Sequence, residues 1–233
     1  MITNNEFSQN LSVVTEAIEH ACQKCGRSPN EVTLLPVTKN WPSDGVRMCK
    51  DAGINRVGEN RVQEAMQKMD EVEDVDFDLI GHLQTNKAKL VVGRFSCLQS
   101  VDSVKLLEKL GRLAEEKCLV QKILLQINAG NDPAKFGISI KDSSLVVEKA
   151  LGIPSLDTIG FMTIAPFDPE NRGTAKQAFK NLRELRDKMA ITFGKTFPEL
   201  SMGMSGDLNE AIAEGSTMIR VGSALFGERK VSK

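Results

Sequence analysis

The chain has 233 residues, enough for one large α/β barrel or two small domains. Its 41% hydrophobic and 26% charged content is ordinary for a globular protein, and a formal net charge of −1 gives no overall field toward nucleic acid or an anionic membrane. No apolar run reaches the roughly 18 residues that span a bilayer. The N-terminus shows no basic stretch followed by an apolar core, and five scattered cysteines do not describe a disulfide framework, so a cytoplasmic protein without a nucleic-acid or membrane partner is expected.

Residues 6–24 are predicted as an amphipathic helix that Gly26 stops, with Phe7, Leu11, Val14, Ile18, Cys22 and Cys25 on its apolar stripe. Cys22 and Cys25 form a C-x-x-C, but the stripe assigns both to the core as small hydrophobes. No second cysteine or histidine pair completes four zinc ligands. After the turn at Ser28, Pro29 and Asn30, residues 32–39 form a β-branched, apolar strand. Pro36 lacks a ladder donor and marks a bulge or a strand end.

Ser43 is placed as the cap of a helix over 43–52, ended by Gly53. A second strand covers 54–60 and a helix 61–69. Six acidic residues among the nine of 70–78 predict a solvated connection. A third strand follows at 77–84, a short helix at 86–92 and a fourth strand at 95–101. Asp102 or Ser103 caps a strongly periodic helix over 104–117. Beyond it come a strand at 119–127, a helix at 143–151, a strand at 156–164 and a long helix at 172–193. The last elements are a strand at 200–204, a helix at 207–214 and a strand at 218–226.

Eight strand candidates thus alternate with helices, and most are continuous apolar runs, as expected where both faces of a parallel sheet are covered. Eight such units in this length predict a single (β/α)8 TIM barrel over 1–233, with an extra N-terminal helix and no domain boundary. A doubly wound open sheet is the alternative, weakened by the lack of G-x-G-x-x-G after the first strand.

In a barrel the residues just after each strand gather at one mouth. Lys39 closes the first strand, where burial against apolar walls would favour the neutral amine that attacks carbonyls. Taken alone it is more simply read as the first solvated residue after a strand. Asn60 ends the second strand and His82 lies in the third. Met204, Ser205, Gly206 and Asp207 follow the seventh strand, while Arg220, Gly222 and Ser223 lie on the eighth. The last two groups offer backbone N–H donors and small residues of the kind that receive phosphate in barrels, although Ser205 as a cap and Gly222 as a turn residue would explain each separately. A lysine beside a phosphate pocket points to a sugar-phosphate Schiff-base aldolase or to pyridoxal 5′-phosphate. Arg220, two residues before Gly222, would keep a positive charge opposite a pyridine nitrogen and so weaken the ring as an electron sink. A salt bridge from Arg220 to Glu59 or Asp207 is the plain alternative.

The motifs also carry a resemblance. Leu-Pro-Val-Thr-Lys at 35–39, Gly-Glu-Asn-Arg-Val-Gln-Glu at 58–64 and Gly-His-Leu-Gln-Thr-Asn-Lys at 81–87 are similar to those of the pyridoxal phosphate homeostasis proteins, also called the YggS or PROSC family. So are Gln-Ser-Val-Asp-Ser at 99–103, Leu-Ser-Met-Gly-Met-Ser-Gly-Asp at 200–207 and the run from Ala211 to Gly227. The resemblance implies a barrel like the N-terminal domain of alanine racemases, with the cofactor on Lys39 as an internal aldimine. It implies that Ser205, Gly222 and Ser223, with Met204 beside them, hold the phosphate. Arg220 would meet the ring nitrogen, Asn60 the ring substituents, and His82 would belong to the pocket. It further implies a role in cofactor homeostasis and amino-acid and keto-acid balance, delivery to apoenzymes, and no firm catalysis; lacking the second racemase domain removes one reason to dimerise, and a monomer is expected. The stretches at 128–133 and 167–170 depart from the family pattern and bear on pocket access or a partner surface. A racemase is the rival function. Racemases of the similar fold add a β-domain that contributes a tyrosine base, whereas this sequence contains no tyrosine and little chain follows the eighth strand.

Overall fold

The computed structural model describes residues 2–166, 168 and 171–227, and of Arg172 only the backbone. Helix α1 (Asn4–Lys24) opens with a capping box in which Thr3 and Glu6 satisfy each other's backbone N–H groups. Its stripe is buried at Phe7, Val14, Ile18, Ala21 and Cys22. Cys25 departs from the expectation for that stripe. It is the C-cap residue and is exposed, because the chain leaves the helical path there.

The elements that follow alternate. They are β1 (Thr33–Pro36), α2 (Ser43–Asp51), β2 (Arg56–Glu59), α3 (Val62–Glu71), β3 (Asp76–Leu79), α4 (Ala88–Val91), β4 (Cys97–Val101), α5 (Val104–Glu116) and β5 (Gln121–Asn128). Then come β6 (Ile138–Ser139), α6 (Ser143–Leu151), β7 (Leu156–Met162), α7 (Arg172–Phe193), β8 (Glu199–Ser201), α8 (Leu208–Ala213), β9 (Met218–Val221) and α9 (Ser223–Phe226). Eight strands run parallel in the order β1-β9-β8-β7-β5-β4-β3-β2. A bridge between Val37 and Gly58 joins β1 to β2 and closes the barrel. The predicted eight-stranded α/β barrel with an added N-terminal helix is therefore the observed fold. Helix α1 lies on its outside against α8 and α9, with Phe7 stacked on Phe226 at 5.3 Å and Asn10 Nδ2 donating to the Leu225 carbonyl.

Most of the apolar core fills the shell between strands and helices, including Val57, Leu79, Leu98, Ile123, Leu125, Phe161 and Leu200. Smaller clusters face inward, one of Leu35, Val37, Ile80 and Met218 and another of Cys97, Leu124 and Met162. The split follows from strand alternation, which sends successive side chains to opposite faces. Among the described residues no helix is long and apolar enough to cross a membrane.

Local corrections have clear causes. Ser43 is the first residue of α2 rather than its cap. The cap is Pro42, and the Ser43 hydroxyl donates to Glu71 instead. Residues 70–78 are not solvated throughout. Asp78 is fully buried in β3, paired with Arg56 of β2 and accepting from Gln99 of β4. The eighth predicted strand stops at Val221, and Ser223–Phe226 turn into α9, which lets Leu225 and Phe226 pack under α1. Strand β6 was not expected, being only two residues paired to the C-terminal end of β5. Ser103, not Asp102, caps α5. Pro36 is the last residue of β1, so no ladder bond depends on its missing donor.

Candidate functional site

At the mouth of the barrel a cavity of about 670 Å³ is lined by Lys39, Asn60, Met204, Ser205, Gly206, Asp207, Arg220, Gly222 and Ser223, among others. Apolar walls come from Val37, Ile80, Ile164, Ala165 and Pro166. This size is typical of a small-ligand site. Strand ends converge here because all eight strands point the same way.

Arg220 forms the floor. It pairs in register with Leu35 of β1 and is only 4% exposed. Its Nη1 donates to Ser201 Oγ at 2.7 Å and its Nη2 to the Thr163 carbonyl at 2.8 Å. Both acceptors are neutral. Neither of the salt bridges considered from sequence forms: Glu59 is bonded to Lys68 and Thr38, and Asp207 bonds the Met204 N–H. Burial pushes the guanidinium down to about 10, opposed by attraction to Asp207. It remains charged at neutral pH.

Lys39 stands at the rim, in the turn after β1, and is exposed rather than walled in. Val37 and Thr38 separate it from the end of β1 and carry it beyond the strand end. Among the described residues no carboxylate pairs with it. Asn60 follows β2 and is half-buried. The segment from Met204 to Asp207 is closed on itself, with the Asp207 carboxylate accepting the Met204 N–H at 2.6 Å and the Asp207 N–H reaching the Met204 carbonyl. Burial raises the Asp207 carboxyl, offset by that hydrogen bond. The hydroxyls of Ser205 and Ser223 make no hydrogen bond within the described residues, so both are available to a ligand facing the cavity.

His82 lies outside the lining. Its Nδ1 is 2.9 Å from Asp102 Oδ2, and its ring stacks on Phe136 with centroids 4.0 Å apart. Phe136 belongs to the segment between β5 and β6, which Asn128 braces through two hydrogen bonds with Asp132, and Lys135 of this segment lines the cavity. The unusual stretch at 128–133 thus bears on one wall of the site. Of 167–170 only Asp168 lies within the described residues, and it also lines the cavity.

Sequence reasoning did not find how the residues behind the site are joined, Glu59 having been considered only as a partner for Arg220. Ser201 and Thr163 hold Arg220. Glu59, Glu64 and Lys68 gather behind Lys39. The signal for the last group was the i,i+4 spacing of Glu64 and Lys68 on a helix that directly follows a strand. Among the described residues no group of three or more His, Cys, Asp or Glu side chains forms a metal site.

Fold and cavity together define a class: an α/β barrel whose mouth brings a lysine amine, a buried guanidinium and two unbonded hydroxyls around a space suited to an anionic carbonyl compound. The family model for the alanine racemase N-terminal domain matches residues 13–230. The pyridoxal phosphate homeostasis protein of Aquifex aeolicus (strain VF5) is 38% identical over 95% of this chain and 98% of its own. Among solved structures, an unknown protein from Bifidobacterium adolescentis superposes with a TM-score of 0.89 at 31% identity, covering 97% of this chain and 98% of that one. PipY of Synechococcus elongatus PCC7942, with PLP bound, gives a TM-score of 0.79 at 34% identity, over 90% of this chain and 100% of that one. The chain belongs to the alanine racemase N-terminal domain family and, within it, to the pyridoxal phosphate homeostasis proteins.

Proposed function

We propose that the protein binds pyridoxal 5′-phosphate and takes part in its intracellular homeostasis as a carrier, without robust turnover of its own. The observation that carries this is the pairing of Lys39 at the rim with a buried, neutrally bonded Arg220 on the floor of one cavity. A relative 34% identical, PipY, has been solved with PLP bound, which supports the same ligand here. The residues present fit the group: an amine for its aldehyde, a fixed cation for its ring nitrogen, and the hydroxyls of Ser205 and Ser223 with the Gly222 backbone for its phosphate.

When bound, the cofactor supplies an aldehyde that condenses with an amine and a ring that can draw electrons from it. Lys39 would hold it through its amine. Arg220, which keeps its proton at neutral pH, would oppose protonation of the ring nitrogen and so limit that withdrawal. Met204 and Asn60, which line the same cavity, would contact it there, while His82 braces the neighbouring segment through Phe136. The absence of tyrosine from the sequence removes the second base of a racemase. The carrier acts in the cytoplasm as a monomeric unit spanning 1–233, gives the cofactor up to apoenzymes that depend on it, and thereby affects amino-acid and keto-acid balance.

Visible absorption of the purified protein, followed by borohydride reduction and peptide mapping, tests this. The reduced adduct is expected on Lys39, and Lys39→Ala should lose the imine band while keeping weaker, non-covalent binding through the phosphate. An adduct found only on another lysine would overturn the assignment. Chiral analysis of alanine and serine with α-proton exchange by NMR tests the carrier role. Robust turnover that Lys39→Ala abolishes would refute it.

A further inference from the structure

Lys39 sits in an exposed turn, yet the backbone on both sides of it is tied down from behind the barrel wall. The Thr38 carbonyl accepts from Lys68 Nζ at 2.7 Å, and the Asn40 N–H donates to Glu64 Oε1. Lys68 and Glu64 lie one turn apart on α3 and bond each other at 2.9 Å. The third partner of the Lys68 ammonium is Glu59 Oε1, at the end of β2, which also accepts from the Thr38 hydroxyl. An ammonium has three donors, and all three are used here, although Lys68 is only 4% exposed. None of these three side chains lines the cavity.

Stability alone does not account for the cluster. Two charges taken out of water commonly recover little net free energy from pairing. Glu59 is fully buried, its Oε2 has no hydrogen-bond partner among the described residues, and burial raises its carboxyl despite Lys68. An unpartnered buried oxygen is a cost that a plain structural ion pair would avoid. Asn40 itself has φ of 63°, a left-handed conformation that persists where the surroundings over-determine it. The conformation being enforced is that of the turn carrying Lys39.

We propose that Glu59, Glu64 and Lys68 are positioning residues that fix the Lys39 turn from behind, so that the neutral amine meets the carbonyl of an incoming aldehyde in a reactive orientation, the C=N bond forming as the carbonyl oxygen leaves as water with the two amine protons. This rests on the Schiff-base role of Lys39 proposed above. It divides the site into a front face, which binds the ligand, and a rear clamp, which sets how fast the covalent bond forms. Misplacement of a reacting group by about an ångström can cost roughly a hundredfold in rate, so the clamp should affect the rate of imine formation much more than the affinity for the phosphate.

The test uses the full-length protein stripped of cofactor, in three forms: unaltered, Glu64→Ala and Glu64→Gln. Alanine removes the acceptor of the Asn40 N–H, while glutamine keeps an amide oxygen in its place. Amide hydrogen exchange at Asn40 is expected to rise in Glu64→Ala and to return toward the unaltered level in Glu64→Gln, with melting temperatures reported alongside. On addition of pyridoxal phosphate, the imine band of Glu64→Ala should develop at least about tenfold more slowly, with most of the rate restored in Glu64→Gln. Unchanged exchange at Asn40 would overturn the clamp, and faster exchange with an unchanged rate would overturn its role in positioning. If the unaltered protein forms no imine on Lys39, the cofactor assignment fails and this inference with it, and that control tells the two failures apart.

Discussion

Replacing Arg220 by methionine should separate ligand chemistry from fold stability. Burial lowers the guanidinium to about 10, a displacement that corresponds to roughly 3 kcal/mol of destabilisation while it stays charged at neutral pH. Methionine relieves that cost. It also removes the hydrogen bonds to Ser201 Oγ and the Thr163 carbonyl. Ser201 still donates to Gln99 at 2.6 Å, so its hydroxyl keeps a partner. The buried Thr163 carbonyl loses its charged donor, at a cost of about 1–3 kcal/mol. The opposing effects nearly cancel, so Arg220→Met is expected to unfold within about 2 kcal/mol of the unaltered protein in urea. Its spectrum with pyridoxal phosphate should nevertheless change, because the ring nitrogen has lost its fixed positive neighbour. Arg220→Glu should go further and favour the protonated ring, with faster α-proton exchange of bound amino acids. Its carboxylate would face the Thr163 carbonyl, so it should be the less stable of the two variants. A loss above about 5 kcal/mol in Arg220→Met would show that the arginine holds the barrel together. An unchanged spectrum in both variants would refute its place at the ring.

Three further outcomes are expected. Ser205→Ala should weaken pyridoxal phosphate binding by about 1.5–3 kcal/mol, the range for a hydrogen bond to a charged acceptor. Gly222→Asp should weaken it more, since a Cβ there already meets the Val37 carbonyl at 3.3 Å and the carboxylate repels phosphate; titration with unchanged affinity for both would remove phosphate from these loops. Gly81→Ala should destabilise the barrel and displace Asn60, because a Cβ at Gly81 would fall 2.2 Å from the Asn60 carbonyl oxygen and 2.7 Å from its Cα. A melting temperature and cofactor affinity equal to those of the unaltered protein would contradict that packing.

Much of the architecture could be read locally. The apolar stripe of α1, the continuous β-branched runs and the alternation of strand with helix are consequences of period and composition, which tertiary contacts reinforce without redirecting. The convergence of Lys39, Asn60, Ser205, Arg220 and Gly222 on one mouth also followed from the sequence, because parallel strands of one barrel must end together. What no local pattern contained was the choice of partner. Asp78 looked like the end of a solvated acidic stretch until neighbouring strands brought Arg56 and Gln99 against it. Arg220 was a free cation with two carboxylates in contention until Ser201 and the Thr163 carbonyl took its donors. His82 shared the motif that led into the mouth, but Asp102 and a stacked Phe136 hold it to one side. Lys39 emerged exposed, with its order coming from Glu64 and Lys68 on the far side of the wall. Hydrophobic periodicity is a property of one segment and survives in isolation. Hydrogen bonds and ion pairs between segments depend on register, side-chain reach and loss of water, and those exist only once the barrel has closed.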